Sequence, residues 1–297
     1  MSASARGDLL LLLHAHLPFV RHPENPYHLE ENWLYEAITA TYLPLISELT
    51  QLLRAGSTPC LTLSLSPTLC SMLRDTLLGE RYRAYLDRLL RLGEDELSRT
   101  KDNPVQAELV RFYLSRFTEL RALYRSLDGD LVAAFANLQE RGALEIITTC
   151  ATHAYLPVIR EPSARRAQLL IAVRHYRECF GRYPRGIWLP ECGYVDGLDE
   201  LLGELNLRFF FLDAHGLTYA RPRPPLGLHA PIFTRSGVAA FGRDLMSSKQ
   251  VWSSTEGYPA DGVYRDFYRD IGFDRSLEEI APYIHPDGIR VHTGYKY

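Results

Sequence analysis

Short apolar runs alternate with longer amphipathic stretches along the 297 residues. "LLLLLH" (9–14) reads as a buried strand. From Trp33 to Leu53 the apolar positions Leu34, Ile38, Tyr42, Leu45, Leu49 and Leu52 step by three and four, which predicts a helix. "CLTLSLS" (60–66) alternates as a strand does, and Pro67 then opens a helix where a missing N–H costs least. The strongest helical signal runs from Val105 to Arg141, with a stripe through Leu109, Phe112, Phe117, Leu120, Tyr124, Leu127, Leu131, Phe135 and Leu138 and a break expected at Asp128-Gly129. "LEIITTC" (144–150), "GIWLP" (186–190), "RFFFLDA" (208–214) and "VAAFGRD" (238–244) are further strands. Helices are expected over Ser163–Phe180, capped by Ser163, and over Leu198–Leu205. The segment Arg221–Gly237, rich in Pro, Arg and Gly, is too long for a tight connection and is expected to be a mobile functional loop.

Strand followed by helix, repeated, implies a parallel sheet with helical crossovers. An open doubly wound sheet and a closed barrel compete. No GxGxxG or Walker loop follows any strand, which removes the usual reason for an open nucleotide-binding sheet. A barrel places its chemistry where strands end. The residues there are His14 and His16, Ser66, Cys150 and His153, Glu191, Asp213 and His215, and Arg243, a concentration of polar and titratable groups that favours the barrel.

Composition narrows the function. Hydrophobic residues make up 46% and charged residues 23%, ordinary for a soluble globular chain. A net charge of −3 gives no nucleic-acid footprint. Five cysteines without CxxC spacing argue against a disulfide framework or structural zinc and fit a reducing cytoplasm. The Leu9–Leu13 run is too short for a signal peptide or membrane span and follows Asp8, so a cytoplasmic protein with no membrane partner is expected. Eighteen tyrosines suit sugar rings, though tyrosine is also a common core residue.

"HAHLPF" (14–19) sets two histidines two apart, on one face of a continuing strand. They either bind substrate hydroxyls, ligate a metal, or are satisfied strand-end histidines. A metal held by His14, His16 and His153 or Asp213 lacks any HxxxH, HExxH or regular Cys/His spacing in its support. A nucleophilic Cys192 or Cys150 paired with His153 has no sign of a lowered thiol pKa behind it. Glu191 follows the buried-reading "IWLP" and is therefore not expected on a solvated face. It is either an ion-pair partner at the barrel mouth or one of the two carboxylates that glycoside chemistry needs.

"LLLHAHLPFVRHPE", "LEIITTCATHAYLP", "GIWLPECGY" and "QVWSSTEGYPADGVYRDFYRDIGFD" (250–274), in this order, resemble glycoside hydrolase family 57, and within it the α-1,4-glucan branching enzymes. The resemblance spans residue 8 onward. It implies an incomplete (β/α)7 TIM-like barrel, a retaining double displacement on α-glucan such as glycogen or amylose, and no metal or other cofactor. Glu191 would be the nucleophile. His14, His16, His153, Trp188, Asp213 and Arg243 would bind substrate, with Trp252 as an aromatic wall and the Gly-Tyr-Pro-x-Asp turn as a further contact. Ala260 stands where relatives carry the second glycine of that turn. The family's acid/base aspartate lies on a later strand, and no aspartate here matches it; Asp274 and Asp287 sit in loop-like surroundings. Residues 1–297 are thus expected to be the N-terminal part of one catalytic barrel, with an open edge. An α-amylase, a 4-α-glucanotransferase and a non-catalytic α-glucan binder are the alternatives.

Overall fold

A computed structural model describes residues 7–264 and 269–296. The chain forms two compact units interleaved along the sequence: the N-terminal segment through Pro18 with Leu49–Ser71 and Val132–Asp244, and Phe19–Glu48 with Met72–Leu131 and the residues from Leu245 onward.

The first unit holds the sheet. Its strands are β1 (Leu12–Ala15), β2 (Leu61–Leu65), β3 (Leu144–Ile147), β4 (Gly186–Ile187), β5 (Phe209–Leu212), β6 (Ile232–Phe233) and β7 (Ala239–Gly242). They hydrogen-bond in the orders β1-β2-β3 and β4-β5-β7-β6, and every neighbouring pair is parallel except β6 with β7. A parallel bridge between Thr148 and Ile187 links the two groups, with Trp188 N–H donating to Thr148 O at 2.9 Å. The α/β architecture with parallel strands agrees with the expected one. Among the described residues β1 pairs only with β2 and β6 only with β7, so the barrel is not closed.

The helices, in chain order, are α1 (Glu31–Ala37), α2 (Leu43–Arg54), α3 (Pro67–Leu73), α4 (Thr76–Arg99), α5 (Pro104–Ser126), α6 (Leu131–Glu140), α7 (Pro162–Phe180), α8 (Leu198–Glu204), α9 (Ala214–Thr218) and α10 (Leu245–Trp252), followed by shorter turns. Period-2 alternation sorts the strand side chains between two faces. On one face Phe210, Ile187, Val238 and Ala240 pack with Leu169 and Val173 of α7, Leu198 and Leu202 of α8 and Leu217 of α9. On the other, Phe211 meets Trp188, Ile147 and Cys192, and Phe241 packs against them. Phe211 and Phe241 are register partners on β5 and β7, 5.6 Å apart.

The second unit is helical. Tyr82 of α4 is fully buried against Tyr35, Tyr85 and Tyr124 and shares a hydrogen bond with Thr39 at 3.0 Å. Asp270 is completely buried because it accepts from the N–H groups of Gly272, Thr293 and Gly294 and from the Thr293 hydroxyl, tying two distant segments together. No helix among the described residues is long and apolar enough to cross a membrane.

Several expectations need correction. The 9–14 run is not buried: Leu9 is 81%, Leu11 55% and Leu13 42% exposed, because β1 is an edge strand that nothing among the described residues covers. The predicted Trp33–Leu53 helix is interrupted by a π-helical turn at Ile38–Tyr42. The Thr76–Arg99 helix, capped by Asp75, was missed. Ser163 does not cap α7; Pro162 sets its first turn, and the Ser163 hydroxyl donates to Glu161 instead. Arg221–Gly237 is not wholly loop, since β6 pairs with β7 across a turn in which Thr234 and Val238 hydrogen-bond. The break at Asp128-Gly129 is present, both residues having positive φ.

An uncovered, leucine-rich edge strand invites association. The chain is expected to self-associate at micromolar concentration in sedimentation velocity, and Leu9→Lys with Leu11→Lys to shift it toward monomer without lowering its unfolding midpoint.

Candidate active site

Parallel pairing brings the C-terminal ends of β1, β2, β3, β4, β5 and β7 to one side of the sheet. His14 and Ser64 are direct register partners. At those ends the structure gathers His14, His16, His153, Trp188, Glu191, Asp213 and Arg243. The imidazoles of His16 and His153 stack at 3.8 Å, and His14 lies 5.0 Å from His153. Trp188, only 9% exposed, stacks on His14 at 4.9 Å, and the Arg243 guanidinium sits 5.8 Å over its ring. The indole is therefore the floor of the cluster. Arg243 also donates to Asp213 at 2.9 Å, so these two predicted substrate-binding residues engage one another.

Glu191 stands apart from this floor of stacked rings. Its side chain is 80% exposed, which corrects the expectation that it avoids a solvated face. The cause is the turn that carries it. Cys192 N–H donates to Leu189 O and Gly193 N–H to Pro190 O, and Glu191 and Cys192 adopt φ of 52° and 53°. The strand thus ends in a reversal that swings the carboxylate out of the layer. His153 Nε2 lies 4.0 Å from its Oε1, on an imidazole whose side chain is only 10% exposed. Gly193 lets the chain pass close under the Tyr155 ring, which a Cβ there would displace. His153 also has positive φ, so three of the five non-glycine residues with this strained backbone among those described are at the site. Each such residue costs on the order of 1–3 kcal/mol, and the cost is sustained by surrounding structure. For His153 that structure is Gln168 of α7, which brackets Ala151 and Thr152 through its backbone and carboxamide.

Burial and mutual repulsion keep the three imidazoles neutral. His14 is lowered to about 3 by enclosure and by the charges of His153 and His16, although it keeps an accessible edge beside open β1. His16 is lowered to about 4 by burial and His153, against the pull of Glu191, and His153 to about 4 by burial. Neutral rings can stack this closely; imidazolium ions would repel. Burial pushes the Cys150 thiol up to about 12, and burial together with Asp213 pushes Cys192 up to about 11, so neither is a thiolate. Among the described residues no three His, Cys, Asp or Glu side chains form a group that could hold a metal ion.

Two predicted residues lie in the other unit: Trp252, at the end of α10 and 68% exposed, and Ala260, exposed in a 3-10 turn. His215 is exposed on α9. The buried hydroxyls of Ser64 and Thr149, which bond His14 and His153, were not singled out from the sequence. Their signal was faint: polar positions in alternation, which ordinarily face water.

Because the imidazoles are neutral when folded but take protons below pH 6.5 when unfolded, the unfolded chain binds more protons between about pH 6.5 and about pH 4. Stability therefore falls as pH drops through that window. Urea midpoints should decrease on acidification, and His153→Gln should flatten the decrease.

The family model for glycosyl hydrolase family 57 matches residues 10–273. The 1,4-alpha-glucan branching enzyme TK1436 of Thermococcus kodakarensis is 31% identical over 291 residues, 89% of this chain and 42% of that protein. Among solved structures, the alpha-amylase AmyC from Thermotoga maritima superimposes with a TM-score of 0.94 at 45% identity, over 99% of this chain and 56% of that one. The GH57-type branching enzyme from Pyrococcus horikoshii gives 0.80 at 34% identity, over 89% and 51%. The chain spans about half the length of these relatives. A family match over most of its length, with parallel strand ends that gather histidines and an outward glutamate, makes this chain a member of glycosyl hydrolase family 57.

Proposed function

We propose that this protein is an α-1,4-glucan branching enzyme sequence acting by retaining glycosyl transfer, with Glu191 as nucleophile. The observation that carries the reading is the solvent-facing Glu191 carboxylate, swung out by a strained turn above a floor of neutral rings. In the first step Glu191 attacks the anomeric carbon of an α-glucan, the glycosidic C–O bond breaks, and the departing oxygen takes a proton from a general acid. In the second, a 6-hydroxyl of an acceptor glucan attacks the glycosyl-enzyme and gives its proton to the same group, restoring the carboxylate. His14, His16 and His153 would bind donor-sugar hydroxyls as neutral groups, and Arg243, oriented by Asp213, would bind a further one. Trp252 and the turn at Ala260 would serve the glucan chain.

Retention calls for a second carboxyl group about 5 Å from the nucleophile. The carboxylates at the nearby strand ends are Asp213, already engaged by Arg243, and Asp244. We assign the acid/base to neither, and expect this chain by itself to transfer no glucan. Hydrolysis in place of branching is the second reading, favoured by the 45% identity to an alpha-amylase.

A donor whose leaving group needs no proton tests the nucleophile separately from the acid/base. Incubated with α-maltosyl fluoride, the chain should acquire a maltosyl group on the peptide containing Glu191, and Glu191→Gln should lower labelling on the order of a thousandfold or more. Labelling elsewhere, or unchanged in that variant, sinks the nucleophile. Transfer from amylose would restore Asp213 or Asp244 as acid/base, with α-1,6 linkages supporting branching and new reducing ends alone supporting hydrolysis.

Charge development is carried by carboxylates, so extensive chelation should leave the labelling rate unchanged. Stoichiometric zinc that is lost on His14→Ala would replace this reading with a metal-dependent one.

A further inference from the structure

All three imidazoles of the cluster are held at the same nitrogen. His14 Nδ1 lies 3.1 Å from Ser64 Oγ, His16 Nδ1 2.9 Å from Ser66 Oγ and His153 Nδ1 3.1 Å from Thr149 Oγ1. Ser64, Ser66 and Thr149 are completely buried. Ser64 reaches across from β2 as the register partner of His14, and Thr149 reaches forward within the turn that follows β3.

The hydroxyl protons decide the tautomers. Neither the Ser64 nor the Thr149 hydroxyl has another hydrogen-bond partner among the described residues. A hydroxyl carries one proton, and burying that proton without an acceptor costs more than leaving a lone pair unused. The available acceptor is Nδ1, which must then present its lone pair, and the proton of each neutral ring resides on Nε2. Ser66 is different. It accepts from Leu69 N–H and lies 3.1 Å from Thr68 Oγ1, which donates to Leu17 O, so its own proton has two possible acceptors. The hydroxyls thus fix the tautomers of His14 and His153 but not that of His16.

We propose that Ser64 and Thr149 are positioning residues that hold His14 and His153 as neutral Nε2–H donors facing the substrate. The proposal deepens the reading of this site as glucan-binding and rests on it. His153 Nε2 lies 4.0 Å from Glu191 Oε1, and His14 Nε2 has no protein partner among the described residues. Neutral N–H groups suit the oxygens of an uncharged, hydroxyl-rich ligand. Beside the nucleophile they also leave its negative charge available for attack, where an imidazolium would pair with it.

The test is spectroscopic. In long-range proton–nitrogen correlation spectra of the histidine-labelled chain at neutral pH, both rings should show a protonated Nε2 and an unprotonated Nδ1 shifted upfield by the bond it accepts. Ser64→Ala should move the His14 Nδ1 resonance downfield, and Thr149→Val that of His153, each without moving the other. Ser64→Thr, which keeps the hydroxyl, should restore the native position. Maltosyl labelling at Glu191 should fall roughly tenfold in Ser64→Ala and recover in Ser64→Thr. A protonated Nδ1 on either ring of the native chain overturns the proposal even where the variants fail to fold. So does a variant that leaves its Nδ1 resonance unmoved, or labelling in Ser64→Ala equal to that of the native chain. The native spectra decide the tautomers even where Glu191 takes no label, an outcome that counts against the nucleophile alone.

Discussion

In a parallel sheet every strand leaves the layer in the same direction, so hydrogen-bond register alone determines which side chains become neighbours at its edge. Here the register aligns His14 with Ser64, and the single bridge from Thr148 to Ile187 carries the alignment across to the strand that ends in Glu191. Residues more than a hundred positions apart, His14 and Trp188 among them, come within stacking distance as a result. The helices hold that register in place from one face through the cluster around Phe210, and the phenylalanines of β5 and β7 fill the other.

The site divides into a floor of stacked rings and a solvent-facing carboxylate. The floor is polar in composition and held at one side: each imidazole is bonded at Nδ1 by a hydroxyl, which leaves Nε2 to face outward, and Arg243 is held by Asp213 and by the indole beneath it. Such a surface can offer directed hydrogen bonds without offering charge. Glu191 is exposed because its turn forces it out, and the close approach of Gly193 to Tyr155 keeps that turn against the loop bearing His153. Among the described residues, three of the five non-glycine residues with positive φ, His153, Glu191 and Cys192, fall at these positions.

Much of the architecture was legible in the chain itself. The order of strands and crossovers, the helix break at Asp128-Gly129 and the strand-end positions of His14, His153, Glu191 and Arg243 follow from periodicity and local turn chemistry, which act over a few residues. The family likeness rested on equally local motifs. The errors have one origin. An apolar run such as Leu9–Leu13 reads as buried, yet burial depends on what lies beside β1. The alternation of "CLTLSLS" identifies a strand but does not show that Ser64 and Ser66 are fully buried, each bonded to an imidazole from β1 or the residue just after it. Glu191 reads as enclosed after "IWLP", yet two successive left-handed residues turn it outward. Residue identity and spacing thus determined which groups this protein has at its strand ends. Their ionisation, their partners and their exposure were decided by tertiary structure, because desolvation and hydrogen bonding are set by neighbours distant in the chain.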